Sequence, residues 1–128
     1  MNLVVMNEQG QILMLKHVFH PQAPWGLPGG WLNRNEDPQD CALRELREET
    51  GLTAVLDRLL VLQRDPVPSH IGAIYLAFAQ AKPLQLSGEI IEARWFDPET
   101  LPQPLTAMTE QAIVTAVRVM TETAVPHP

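Results

Sequence analysis

The chain has 128 residues and a mass of 14.3 kDa, with 9 basic against 15 acidic residues and a formal net charge of −6. That length predicts one domain, residues 1–128, around a single core. The acidic balance speaks against broad electrostatic contact with nucleic acid or an anionic membrane. The one cysteine, Cys41, excludes an intramolecular disulfide and a cysteine-rich zinc site, and it suits a reducing compartment. No apolar run reaches the ~18 residues of a spanning helix. Leu3-Val4-Val5-Met6 is too short for a signal peptide and has no basic lead-in. A cytoplasmic protein is the expectation.

Residues 2–6 and 12–15 are apolar runs separated by Asn7-Glu8-Gln9-Gly10, the pattern of a hairpin. Residues 19–30 hold three prolines and three glycines around Trp25 and Leu27, which predicts an irregular loop with a short strand at most. A helix is expected over 38–50: Asp37 stands at the N-cap, Pro38 at the first helical position, Asp40 in the first turn and Gly51 just past the end. Residues 52–63, 71–80 and 89–96 read as strands. Asp97-Pro98 opens a short turn of helix stopped by Pro102 and Pro104. Ile113, Val114, Val117 and Met120 fall at helical spacing and place a terminal helix from Thr106 to about Met120, with a frayed tail from Thr121. Alternating strands and helices with a hairpin included imply a mixed sheet covered by helices.

The chemistry concentrates in residues 29–52. At about 100° per residue, Glu45, Glu48 and Glu49 share one arc of the predicted helix, with Ala42, Leu43, Leu46 and Thr50 on the adjoining face and Arg44 and Arg47 flanking the far side. Like charges at i,i+3 and i,i+4 repel by some tenths of a kcal/mol per pair. A hard divalent cation removes that cost and gains oxygen ligands, and Mg²⁺ is commonly shared with substrate phosphates. Taken alone, Arg-Glu-Leu-Arg-Glu-Glu is an ordinary solvated helix face, so the context has to decide.

That context is Gly30, five residues, Glu36, seven residues, Arg44-Glu45-Leu46, one residue, Glu48-Glu49, one residue, Gly51-Leu52. Every fixed position of the Nudix box is filled, a coincidence expected in well under about one in a million chains of this length. The sequence therefore resembles the Nudix hydrolase family. Trp25-Gly26-Leu27-Pro28, Arg94-Trp95-Phe96 and Glu99-Thr100-Leu101-Pro102 extend the likeness over nearly the whole chain.

The resemblance implies an α/β/α sandwich with a central mixed, partly curled β-sheet. It implies a divalent-metal-dependent pyrophosphohydrolase that cleaves the diphosphate linkage of a nucleotide or nucleoside diphosphate derivative by attack of water at phosphorus. Mg²⁺ or Mn²⁺ is the implied cofactor, with Glu48 and Glu49 as main ligands, Glu45 joining when more than one ion binds, and the Gly29 carbonyl as a further ligand. Arg44 would orient the glutamates and Glu36 would brace the loop. The general base would be a box glutamate or a later carboxylate, with Glu89 favoured over Glu92, as an extra ligand or as the base, by its place before Trp95-Phe96. The alternative is a Nudix-fold module that senses a nucleotide without turnover; such modules usually lose box glutamates, which are intact here. The implied partner is a small nucleoside diphosphate derivative, with no nucleic acid bound through a basic face, no membrane, and a homodimer left open.

The loop departs from the commonest pattern at Asn33, where relatives often carry Glu, and at Asn35, where they often carry Gly. Asn visits φ > 0 more readily than most residues, so the loop shape is expected to survive. Arg34 adds a positive charge beside it. Further candidates for substrate contact are Arg34; Glu92; His17 and His20 shortly before the box; His70 after a proline-rich loop; and Trp25, which either stacks on a nucleobase or packs in the core. Substrate markers are weak. Pro68 lies 16 residues beyond Leu52, as a proline does in many ADP-ribose hydrolases, but in a loop already rich in proline. Tyr75 lies too far on for the tyrosine of dinucleoside polyphosphate hydrolases.

Overall fold

The computed structural model describes residues 1–19, 23–66 and 69–124. Two runs open the chain, β1 (Asn2–Met6) and β2 (Ile12–His17), and form an antiparallel hairpin. Its turn is held by the Asn7 side chain, whose Oδ1 accepts the N–H groups of Gln9 at 3.0 Å and Gln11 at 2.9 Å. Gly10 closes the turn at φ 74°, a conformation that glycine takes without steric cost. A two-residue strand, β3 (Trp25–Gly26), lies against the end of β2.

Helix α1 (Pro38–Thr50) has the predicted bounds. Asp37 sits at its N-cap in extended conformation without a side-chain cap bond, and Gly51 ends it at φ 79°, donating its N–H to the Arg47 carbonyl. Thr50 is fully buried; its hydroxyl donates to the Leu46 carbonyl at 2.7 Å and accepts from the Leu52 N–H at 3.2 Å. The bond seals the helix end where the chain turns back to the sheet.

Strands β4 (Val55–Pro66) and β5 (Ser69–Phe78) form a long antiparallel pair with two register shifts. Strand β5 also runs parallel to β1, with Asn2 opposite Ile74, and β6 (Ile90–Phe96) pairs with β2. The result is a mixed six-stranded sheet of order β3-β2-β1-β5-β4, with β6 attached to β2. Leu3, Val5, Leu13, Leu15, Ala73 and Tyr75 point to a layer shared with Ala42 and Leu46 of α1. Val4, Met6, Ile12, Met14, Ile74 and Leu76 point the other way, to Ala112, Ile113 and Ala116 of helix α2 (Ala107–Ala124). A strand with period two, covered on both faces, reads as an unbroken apolar run, which is how β1 and β2 look in the sequence.

Several boundaries differ from expectation; β4 runs on to Pro66, and β5 spans Ser69–Phe78 against an expected 71–80. Strand β4 starts at Val55 because buried Leu52 is used to dock the helix exit. Residues 97–100 make a turn in which the Thr100 N–H donates to the Asp97 carbonyl, and no helical turn follows, since Pro102 and Pro104 lack the N–H groups to extend it. Helix α2 runs through Thr121 to Ala124, with the Thr121 hydroxyl bonded back to the Val117 carbonyl at 2.9 Å. No helix is long and apolar enough among the described residues to cross a membrane.

Candidate active site

The Pro28–Gly30 segment is laid along the start of β1. The Leu3 N–H donates to the Pro28 carbonyl, the Gly30 N–H to the Met1 carbonyl, and the Met1 ammonium to the Gly30 carbonyl at 2.7 Å. Backbone this close leaves no space for side chains. A Cβ on Gly29 would stand 2.3 Å from the Met1 carbonyl oxygen, and one on Gly30 would stand 2.6 Å from the Glu45 carboxyl carbon. The two glycines are therefore the residues that let the loop press against the sheet on one side and the acidic helix on the other.

Glu49 joins the loop to the helix. Its side chain is almost fully buried, Oε1 accepts the Gly29 N–H at 2.9 Å, and Oε2 lies 3.7 Å from His17 Nε2. Arg44 makes the second join. Its Nε and Nη2 hold the Glu36 carboxylate at 2.7 and 3.0 Å, a bidentate pair. Its Nη1 donates to Glu45 Oε1 at 2.9 Å and Glu48 Oε2 at 3.0 Å, and Nη2 also reaches the Trp31 carbonyl at 3.3 Å. Glu36 in turn accepts the Asn33 N–H at 3.0 Å. Asn35 sits at φ 63°, the left-handed conformation expected of it. Arg44 does not stay on the far side of the helix as the wheel expected: the wheel gives the direction of its Cβ, and a long side chain carries the guanidinium back over the carboxylates.

The charges are strongly biased by these contacts. The Arg44 hydrogen bonds, then the Asn33 N–H, pull the Glu36 carboxyl down to about 2. The same carboxylates push Arg44 above its already high value. Burial raises Glu45, against the opposing pull of Arg44. Burial also raises the Cys41 thiol, whose Sγ lies 3.4 Å from the Trp31 carbonyl, so this group is a packed donor and no thiolate.

The remaining candidates separate by place. Glu89 is exposed just before β6; its carbonyl accepts the Val18 N–H, and two residues earlier the Ser87 N–H donates to the Glu49 carbonyl, so its segment borders the box helix. Glu92 stands opposite Lys16, while the neighbouring Leu15 faces the α1 layer, so strand alternation puts Glu92 on the other face of the sheet. It also pairs with Arg94. That placement removes Glu92 from the carboxylate side. Trp25 meets Phe96 edge to face, centroids 5.3 Å apart, in the α2 layer, so packing takes its ring and not the site. Arg34 is exposed in the loop turn. The His70 ring lies 4.7 Å from that of Trp31. His20 and Pro68 lie outside the described residues. Two participants were not singled out from the sequence, Trp31 and the chain's first residue. An aromatic directly after Gly29-Gly30 was the available signal for Trp31; nothing local announced Met1.

The donor set is hard: three carboxylates and backbone carbonyls, the chemistry that suits Mg²⁺ or Mn²⁺. Among the described residues no three His, Cys, Asp or Glu side chains converge on one point, and Glu45 and Glu48 are turned to Arg44 Nη1. A cleft of about 600 Å³ lined by Met6, Asn7, Leu52, Phe78 and Lys82 is a separate feature. It lies at the end of β1 and β5 opposite the one that carries Gly29 and Gly30.

The family model described as the NUDIX domain matches residues 1–117. An ADP-ribose pyrophosphatase of Methanocaldococcus jannaschii is 28% identical over 104 residues, covering 77% of this chain and 62% of the relative. Across the first curated relatives the chain spans from 39% to 66% of their length. A MutT NUDIX hydrolase from Burkholderia pseudomallei has a TM-score of 0.69 at 29% identity, over 89% of this chain and 96% of that one. The NUDIX domain of Shewanella oneidensis NrtR, solved with ADP ribose, has a TM-score of 0.78 at 22% identity over 93% and 85%, a likeness of fold. The family match runs from β1 into α2 and takes in the glycine loop, the Arg44 clasp and the acidic helix together, and the chain belongs to the Nudix family.

Proposed function

We propose that the chain is a Mg²⁺- or Mn²⁺-dependent hydrolase of the diphosphate linkage in a nucleotide or nucleoside diphosphate derivative. The observation that carries this reading is the joining of three carboxylates to the glycine loop, through Glu49 and the Gly29 N–H on one side and Arg44, Glu36 and the Trp31 carbonyl on the other. Glu48, Glu49, Glu45 and the Gly29 carbonyl would hold the cation, and its chemistry there is to neutralise phosphate oxygens and to acidify water.

The chain's own residues supply the rest. Glu49, buried and bonded to the loop, is the fixed member of the set, and Glu48, 58% exposed, is the one with freedom to turn. Arg44 keeps Glu45 and Glu48 oriented and restrains the carboxylates' mutual repulsion. Glu89 is the proposed proton acceptor for the attacking water, because its segment borders the box helix through the Ser87 N–H to Glu49 carbonyl bond. A cytoplasmic location goes with a buried free thiol. A homodimer goes with the exposed Val55, Leu59 and Leu62 on β4, the edge strand.

A Mg²⁺-dependent phosphate-release screen over nucleoside triphosphates, ADP-ribose, nucleotide sugars and dinucleoside polyphosphates tests the reading. Turnover of at least one class is expected. Tight binding of one compound with no turnover of any would replace it with a nucleotide sensor. The relatives' names include an ADP-ribose pyrophosphatase, which makes ADP-ribose the first compound to try.

A further inference from the structure

Trp31 follows Gly30 directly, and it is 63% exposed. A single exposed ring needs no explanation; the way this one is held does. Its carbonyl accepts from Arg44 Nη2 at 3.3 Å and lies 3.4 Å from Cys41 Sγ, so its backbone is pinned to α1 by the guanidinium that also holds Glu45 and Glu48. Its ring rests against His70, with centroids 4.7 Å apart and planes inclined by 57°. His70 reaches it because β5 overshoots β1. Ile74 is opposite Asn2, so Ser69–Ala73 continue past the start of β1, at the end where Gly29 bridges to Asn2. A tilted imidazole covers part of the indole and leaves the remainder to solvent.

We infer that Trp31, propped by His70, is the stacking platform for the nucleobase of the ligand whose phosphates lie on the carboxylate face, an inference that rests on the proposed function. Stacking asks only for an accessible π-face and desolvation, and it needs no cation in a neighbourhood of carboxylates. Trp31 is one residue from Gly30, whose missing Cβ admits the Glu45 carboxylate. One short, pinned loop therefore presents both the phosphate end and the ring end of the ligand. The other tryptophans are engaged elsewhere: Trp25 against Phe96, and Trp95 packed on the α1-side core. A larger π-surface stacks better, so purine ligands should outrank pyrimidine ones.

The test uses the whole chain and requires no turnover. Tryptophan emission is titrated with AMP, GMP and ribose 5-phosphate in the presence of Mg²⁺, and affinities are measured by calorimetry. The nucleotides should quench and ribose 5-phosphate should not. Trp31→Ala should abolish most of the quench and weaken AMP binding about tenfold, Trp31→Phe should stay within about threefold of the parent, and His70→Ala should fall between. Circular dichroism of each variant should match the parent, since all three substitutions reduce or exchange a ring that is at least partly exposed. No quench of the parent by either nucleotide, an equal quench by ribose 5-phosphate, or parental AMP affinity in Trp31→Ala overturns the platform. The two readings fail separately. Quenching without turnover of any diphosphate removes the hydrolase and leaves the platform, while turnover with equal KM in the parent and Trp31→Ala removes the platform and leaves the hydrolase.

Discussion

Arg44 holds Glu36, Glu45, Glu48 and the Trp31 carbonyl at once, which only a planar fork of donors can do; lysine, with a single ammonium, cannot replace it. Around it, single residues carry separable jobs. Glu48 is more than half exposed, so Glu48→Gln should lower turnover by two orders of magnitude or more with the melting temperature unchanged. Turnover within a few-fold of the parent would remove Glu48 from the site. Gly30→Ala tests geometry instead of charge. The new methyl would meet the far end of the Glu45 side chain, which can swing aside, so folding should persist while activity drops at least tenfold. Equal activity would mean that Glu45 need not lie against the loop. The sequence placed these carboxylates on one arc by spacing alone. Spacing could not place the guanidinium, which only the family resemblance set against the glutamates, because a side chain with four torsions is located by its partners and not by its Cα.

At the scale of elements, α1 and its preceding loop form one unit held by charge. The Arg44 hydrogen bonds hold the Glu36 carboxyl down at about 2, below its ordinary 4.5. A lowered carboxyl stabilises the fold above its unfolded value and loses that contribution as pH falls through the folded one. The stability gap between the parent and Glu36→Gln, measured by urea unfolding, should therefore be constant above pH 4.5 and shrink between pH 4.5 and 2. A gap as wide at pH 2 as at pH 7 would show that the clasp does not depend on the Glu36 charge. Helix α1 was legible from Pro38 to Gly51 because its signals are local: a proline at the start, an acid in the first turn and a glycine at the end. The ends of β4 and α2 were not. Val55 starts β4 late because Leu52 is drawn into the core, and α2 continues past its apolar stripe to Ala124.

For the whole molecule, the net charge of −6 is unevenly spread. Residues 34–49 hold six acids and three bases, half the net charge in one-eighth of the chain. Acidity placed this way is expected to draw a divalent cation, and binding to the folded state alone stabilises it by about 2.7 kcal/mol at 100 times Kd. Saturating Mg²⁺ or Mn²⁺ should raise the melting temperature by several degrees, EDTA should reverse the rise, and a Glu48→Gln, Glu49→Gln double variant should show little of it. No shift in the parent, or the same shift in the double variant, would disconnect the acidic helix from metal.

The sequence by itself determined the family, the box from Gly30 to Leu52, the bounds of α1, and the hairpin of β1 and β2. All of these are encoded in spacing along one chain. Only the tertiary structure decided which face each later residue serves. Glu92 lies across the sheet from the carboxylates because of strand alternation against Lys16, Trp25 is taken by Phe96, and His70 meets Trp31 because β5 overshoots β1 by the register of a parallel pair. Register between strands distant in sequence is set by the packing of the whole core, so no local pattern could have announced the Trp31–His70 contact.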